Sequence, residues 1–518
     1  MVDETIEVGT VVSTPESPSP TRVDFVVTKG KVHRGQYVEI PYGEGTIIGL
    51  VENVLKTNKY FERADAVKEF EAQGAKLFEQ FPVHDWEYTL AQTNPLGLFT
   101  AENRIKRMTY PPSPGSKVFI AHPTSITRFL ALDMEAGLEL GEMEFHPVKV
   151  RLNLSKMFQK HVAILAVSGA GKSWSVACLL EELLKRKKEH GRMATVVFDV
   201  HGEYTNFAQP VTEKKYTDFS GKTKIIRARD LRIGVPKISA GMFFALLPHA
   251  SPAQKRELMK ILGHLRQKMV EGHGPYDLQS IKEELLGELQ EKEGKESTIQ
   301  ALIGWMHELE SLDLFGKADN PSLLDLVQPG ILTIVDLSDV IHQRKKQVIV
   351  HYLASRLFNE RRNKNIPPTL IVLEEAHNFI PNQVKREESI TKSIMRTIAR
   401  EGRKFGVSLC LISQRPIQLD TTTLSQCNTQ LLLRITNPYD LKHIGESAEG
   451  LTSQSMGMLS SLRVGEALLI GEAVNAPTFF KVRNRESQPS RHEGTLEQAG
   501  IAFEKGLEKN RKETEDLL

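Results

Sequence analysis

A lysine and a serine, Lys172 and Ser173, stand directly after Gly169-Ala170-Gly171 and a short apolar run, Val162 to Val167. That order suits phosphate chemistry. Glycines let backbone N–H groups close around phosphate oxygens, and the N-terminus of a following helix adds its dipole. In such a loop the lysine reaches the β- and γ-phosphates and the hydroxyl holds Mg²⁺. Ser168, Gly169, Ala170, Gly171, Lys172, Ser173 and Trp174 are therefore the expected nucleotide-binding stretch, with ATP and Mg²⁺ as ligands. One position departs from the usual pattern, which wants glycine where this chain has Ala166. A bare Gly-Lys-Ser/Thr arises by chance in roughly one chain in four of this length. The apolar strand before it and the helical pattern Val176, Leu179, Leu180, Leu184 after it give the match its weight.

Two carboxylates close another apolar run, Leu370-Ile371-Val372-Leu373-Glu374-Glu375. In phosphate-loop enzymes an acid at this place orients Mg²⁺, usually through water, and a neighbouring carboxylate can polarise the attacking water. Glu374 is assigned the metal side, with Ser173, and Glu375 the role of base. The run Val407 to Ile412 ends in Ser413-Gln414-Arg415-Pro416, so Gln414 sits where a strand tip could sense the γ-phosphate. Arg400 and Arg403 close the basic helix before that strand; either could reach a neighbouring subunit's nucleotide and stabilise transition-state charge. They could equally serve the helix dipole, and the two roles can coexist. Arg434 is a further candidate. Lys160, just before the loop's strand, could reach a phosphate from below, and Phe479 or Phe480 could face the adenine.

These residues need a scaffold of parallel strands and helices. Runs at Ala194 to Asp199, Ile331 to Asp336, Thr369 to Leu373, Val407 to Ile412, Gln430 to Ile435, Ala467 to Ile470 and Thr478 to Val482 read as its strands. Acidic and small residues at strand C-terminal ends, as in Asp199-Val200-His201-Gly202-Glu203-Tyr204, are where doubly wound sheets place ligands. Before this core, residues 1–145 show short β-branched runs between turn signals: Ile6 to Ser13, Val23 to Thr28, Tyr37 to Ile40, Thr46 to Val54 and Lys117 to Ala121. They suggest a small β-barrel with a helical insertion near Phe61 to Phe78, suited to docking or assembly. His33, His84 and His122 are scattered there and read as surface or packing. Residues 146–240 and 329–483 form the two parts of the core. Between them, residues 241–328 read as an inserted helical bundle, with Ser251-Pro252 opening a helix whose Leu258, Ile261, Leu262, Leu265 and Met269 share a face. Ile299, Leu302, Ile303, Met306 and Leu309 form a second stripe. The tail, residues 484–518, is polar and is expected to be partly disordered or to wrap a neighbour.

Composition narrows the classes. At 518 residues, two to four domains are expected. A net charge of +2 marks no strongly basic nucleic-acid binder, although a ring threading DNA needs positive charge only on its pore loops. The basic clusters Lys185 to Lys188, Arg344 to Lys346 and Arg361 to Lys364 read as solvated faces. No apolar run approaches the ~18 residues of a membrane span, and the acidic start, MVDETIEVGT, does not read as a signal peptide. Cys178, Cys410 and Cys427 are too dispersed for a disulfide framework or a metal site, which fits a reducing cytoplasm.

Taken together, HVAILAVSGAGKS, FDVHGEY, LIVLEEAHNFIP, REGRKFGVSLCLISQRP and VGEALLIGEA resemble the HerA family of archaeal DNA translocases, over about residues 1 to 480. Single motifs are shared with the wider FtsK, VirB4 and conjugative coupling ATPases. The resemblance implies an α/β, RecA-like P-loop ATPase core with an N-terminal β-barrel, an inserted helical bundle and an extended C-terminal tail. It implies a homo-hexamer on double-stranded DNA that translocates and unwinds, partnered through the barrel by a NurA-type nuclease in DNA end resection at double-strand breaks. Carried over by motif, Lys172 and Ser173 are nucleotide ligands, Glu375 the catalytic carboxylate, Gln414 the sensor, and Arg400 or Arg403 the trans-acting arginine. The alternatives are a conjugation or secretion motor, and a clamp that binds ATP without turnover; Glu375 and Gln414 argue against the clamp.

Overall fold

The computed structural model describes residues 6–58, 61, 64–72, 86–100, 102, 104–291, 295–383, 389–448, 451–490, 497, 500–501 and 503–504. The chain divides into two compact units, residues 1–175 with 412–483, and residues 176–411 with 484–518.

The first unit opens with a barrel. Its strands run in the order Val23–Val27, Glu7–Val11, Lys117–Ile120, Tyr37–Tyr42, Gly45–Asn58 and Glu87–Thr100, and the last pairs back with the first to close the sheet. Val8, Phe25, Val38, Ile40, Ile47 and Val51 fill its core. Glu87–Thr100 was not foreseen from the sequence. Its polar stretch around Thr93 and Asn94, and its internal Pro95, interrupt the alternation that marks a strand. The structure accommodates Pro95 opposite Gly49, at a bulge between Ile48 and Gly49, where a missing ladder N–H is tolerated. A helix, Ala64–Ala72, occupies the expected insertion; residues 73–85, with His84, lie outside the described residues.

The barrel is tied to the rest of this unit through Tyr37. Its backbone N–H donates to His146 Nε2 at 2.9 Å, and its hydroxyl donates to the Pro477 carbonyl at 2.5 Å. Burial pushes the His146 imidazole down to about 4, which keeps the ring an acceptor. The unit's second sheet runs Val162–Leu165, Thr429–Leu432, Glu466–Gly471, Thr478–Val482, Leu138–Glu142, Lys149–Leu152. The first two strands are parallel and the rest pair antiparallel. Leu138–Glu142 and, at the sheet's edge, Lys149–Leu152 are short strands that the sequence pattern did not reveal.

The second unit carries an all-parallel run, Thr223–Arg227, Leu332–Asp336, Ala194–Asp199, Thr369–Leu373, Val407–Ser413; the last strand's final residues, Ile412 and Ser413, belong to the first unit. Ala194–Asp199 and Thr369–Leu373 are buried at every position, as strands covered on both faces must be. Helices Pro252–Lys268, Leu278–Glu291 and Glu296–Glu310 pack on one another as a small bundle. Ser251 caps the first with Gln254 in a reciprocal capping box, and Leu258, Ile261, Leu262 and Leu265 form its buried face. Of the described tail, residues 486–489 lie along their own chain rather than reaching outward. The buried Glu181 carboxylate accepts from Glu486 N (2.9 Å), Ser487 N (2.7 Å) and Ser487 Oγ (2.6 Å). Among the described residues no helix is long and apolar enough to cross a membrane.

Candidate nucleotide site

In the first unit, the loop after Val162–Leu165 is moored on both sides. Ala166 N–H donates to the Ser413 carbonyl at 3.2 Å, and Val167 N–H donates to the Arg434 carbonyl at 3.1 Å. The first bond places Gln414, half-buried, one residue beyond a strand tip that touches the loop. Gly169 and Gly171 hold φ of 75° and 97°, and Ala166 is not among the positive-φ positions. The glycines thus stand where the left-handed backbone requires them, and the Ala166 departure falls on ordinary backbone. A Cβ at Gly169 would meet nothing within 4 Å, so the loop's face is open there. Beneath it, Gly465 N–H donates to the Ala170 carbonyl at 3.4 Å.

The helix Lys172–Lys185 begins directly after this loop. Lys172 is buried, Ser173 half-buried, and Ser175 fastens the first turn by donating its N–H and Oγ–H to the Gly171 carbonyl (3.0 and 2.9 Å). Two left-handed glycines, a helix N-terminus and a lysine at its first residue make a cradle that fits nucleotide phosphates, with the Ser173 hydroxyl in place for a metal ion they carry.

Two sequence expectations in this unit are corrected. Lys160 precedes the strand whose other end bears the loop, so about 13 Å of strand separates it from the phosphate cradle. It forms an ion pair with Glu472 instead, and Asn428 donates to the same carboxylate. Phe479 is 8% exposed and its ring lies against Gly35, where a Cβ would come within 3.7 Å; no ring face is open to adenine. Phe480 is buried too.

In the second unit, Glu374 and Glu375 follow a wholly buried strand and are themselves 0% and 3% exposed. Glu374 Oε2 accepts from Val200 N at 2.9 Å and His201 N at 3.3 Å. Asp199, at the tip of the adjacent strand, accepts from Gly202, Glu203 and Tyr204 N–H groups (2.8, 3.1 and 2.9 Å). Burial pushes the Asp199 carboxyl above the usual range. Glu375 adopts φ 45°, a left-handed conformation rare for a residue with a side chain. Its carboxylate lies 3.3 Å from His377 Nδ1. Strain of this kind is held by surrounding structure and concentrates at working sites. The sequence offered no signal for His377, nor for the placing of Asp199 beside Glu374 beyond acids at strand tips.

Arg400 and Arg403 are exposed on the helix Thr391–Phe405, whose other face buries Met395, Ile398, Ala399 and Gly402. Gly406, at φ 73°, caps that helix by donating to the Gly402 carbonyl, so the arginines are not needed to end it. Arg434 is half-buried.

A glycine loop between a buried parallel strand and a helix, in an α/β chain that also carries acidic strand tips, defines a P-loop ATPase. Residues 138–357 match the family described as Helicase HerA, central domain. DNA double-strand break repair helicase HerA of Saccharolobus solfataricus is 29% identical over 485 residues, covering 89% of this chain and 90% of that one. A probable helicase of Methanocaldococcus jannaschii is 28% identical over 487 residues, 89% of each chain. VirB4 of Thermoanaerobacter pseudethanolicus superposes with a TM-score of 0.50 at 17% identity, over 68% of this chain and 98% of that one, a likeness of fold alone. Over 89% of its length the chain is similar to HerA helicases, and it is an ATPase of the P-loop class.

Proposed function

We propose that this chain is a cytoplasmic, ATP-driven motor that moves along and unwinds double-stranded DNA as a homo-hexameric ring. In this reading it serves the resection of broken DNA ends, with a NurA-type nuclease docked on the barrel. The observation that carries the reading is the cradle formed by Gly169, Gly171 and Lys172. Lys172 draws the β- and γ-phosphates to the helix N-terminus, and the Ser173 hydroxyl holds Mg²⁺. The metal ion neutralises phosphate charge when bound. Glu375, set at the strand tip in a strained conformation, takes the proton of the attacking water. Glu374, whose Oε2 is committed to the Val200 and His201 amides, holds the acidic tip in place and reaches the metal only through water. Gln414 follows the strand moored to the loop and relays the presence of the γ-phosphate. Arg400 or Arg403 enters the site of the next subunit.

ATP turnover with and without duplex DNA tests this. The motor reading expects DNA-stimulated hydrolysis that Glu375→Gln removes while ATP binding persists. Binding without turnover in the wild type, DNA present or absent, would replace the motor with a clamp.

A further inference from the structure

Gln347 is a buried amide on the helix Gln343–Arg362. The two ends of that amide serve different elements. Nε2–H donates to the Asn378 carbonyl at 3.3 Å, beside a bond from Gln343 Nε2–H at 3.0 Å. Oε1 accepts from Ile390 N–H, also at 3.3 Å. Asn378 belongs to the turn of Glu375, since its N–H donates to the Glu375 carbonyl at 2.9 Å. Ile390 is the N-cap position of Thr391–Phe405, the helix of Arg400 and Arg403, and its side chain supplies no cap. A second tie runs alongside. The Phe379 carbonyl accepts from Ser389 Oγ at 2.9 Å and from Thr391 Oγ1, both on buried residues. At the far end of the arginine helix, Phe405 packs edge-on against Phe358 of Gln343–Arg362, with ring centroids 5.7 Å apart. A close-packed helix held at both ends carries a shift of its start along its length.

We infer that Gln347 is a positioning residue for two active sites at once. It sets the turn of Glu375 in its own subunit, and it sets the start of the helix whose arginine enters the next. Both roles are those proposed above for Glu375 and the arginines, and the inference rests on them. An apolar side chain would fill this buried place as well, whereas an amide offers a donor and an acceptor together, and here each has a partner. The bridge therefore fixes the spacing between the base and the arginine helix. A misplacement of about 1 Å at a reacting group costs on the order of 100-fold in rate. ATP itself is held by the loop at Lys172, so losing the bridge lowers kcat and spares ATP affinity.

The test measures ATP turnover of the full-length chain, with duplex DNA, for Gln347→Met, which keeps the length of the side chain and loses both bonds. The Asn378 carbonyl retains Gln343, so the Ile390 N–H alone loses its acceptor and the variant should assemble normally. Turnover should fall about tenfold or more while ATPγS binding stays within about twofold. Gln347→Asn, whose shorter amide cannot span both partners, should behave in the same way. Mixing reads the second arm. Glu375→Gln subunits are inactive but present a correctly placed arginine. Added in excess, they should raise turnover per Gln347→Met subunit about threefold or more, relative to wild-type subunits mixed in the same proportion. Gln343→Ala, which touches the Asn378 carbonyl and not Ile390, should show no such rise. Wild-type turnover in both Gln347 variants overturns the inference. So does a slow variant that mixing does not help, since the glutamine then serves its own turn alone. A rise with Gln343→Ala also overturns it, because the Ile390 bond is then not the cause. A wild type that turns over no ATP refutes the motor reading itself, and one indifferent to both Arg400→Ala and Arg403→Ala refutes the arginine reading, so these failures are told apart.

Discussion

Asp199 and Glu374 stand side by side at the tips of adjacent parallel strands, both without exposed surface. Five backbone N–H groups converge on the pair, three on Asp199 and two on Glu374. Those amides are the counterweight to negative charge that burial disfavours. Asp199→Ala strips three donors of their acceptor and should cost about 3 kcal/mol or more in urea unfolding. Asp199→Asn keeps an acceptor for those amides, so its loss should be much smaller. Equal losses in the two variants would mean that the hydrogen bonds carry little.

The loop glycines are predicted to be unequal. Gly171→Ala places a side chain at φ 97°, with its Cβ 3.5 Å from Gly465 N, and should abolish measurable ATP binding. Ala166→Gly restores the usual pattern at a position that needs no left-handed backbone, so ATP affinity should stay within about twofold while stability falls by about 0.5–1 kcal/mol. A gain in affinity from Ala166→Gly would contradict the conformational account of the departure.

Mild acid should weaken the fold through two buried histidines. His146 and His351 are both pushed by burial from 6.5 to about 4. A histidine that stays neutral when folded and takes a proton when unfolded favours the unfolded chain as pH drops. Their contribution is complete above about pH 6.5 and declines as pH falls towards 4. His146→Gln keeps an acceptor for Tyr37 N–H and should flatten part of that decline in melting temperatures measured from pH 7 to 4. An unchanged slope would show that the Tyr37–His146 bond does not report on folding.

Much of the core was legible because parallel strands covered on both faces read as unbroken apolar runs, as Thr369–Leu373 and Ala194–Asp199 do. The helix start at Ser251 was legible for a similar reason, since a serine, a proline and a helical stripe are all local; the part Gln254 plays in the box was not. Contacts between distant segments were not. Thr223–Arg227 is half-exposed and charged, and only its pairing with Leu332–Asp336 makes it a strand. At the site, residue types at strand tips and in the loop were readable, whereas the packing of Phe479 on Gly35 and the ion pair of Lys160 with Glu472 depend on partners more than 300 residues away. Pattern says which groups reach a surface; it cannot say which surface is already covered.

The first residues of the tail should be released by a single change. Glu181→Ala leaves the Glu486 and Ser487 amides and the Ser487 hydroxyl without their shared acceptor. Hydrogen exchange of residues 484–489 should rise at least tenfold, the effect of losing a buried bond or two. Lys185, which pairs with Glu486 at 2.7 Å, is partly exposed, and Lys185→Ala should change exchange far less. Comparable effects would place the anchor on the surface pair.

The trans arginine can be identified without a structure of the assembly. Arg400 and Arg403 lie three residues apart on the exposed face of a helix that Gly406 already caps, so either can be removed with little cost to folding. The one that enters the neighbouring site should, as alanine, lower turnover by roughly 10³-fold with ATP binding intact, and the other should not. Mixing then separates direct from neighbour action. Lys172→Ala subunits cannot hold ATP but still present a normal arginine; arginine-variant subunits hold ATP but lack the group. A mixture of the two inactive proteins should recover turnover wherever a loop from one meets an arginine from the other. If the mixture stays inactive while each protein assembles normally, the arginine acts within its own subunit, and the proposed site between subunits is wrong.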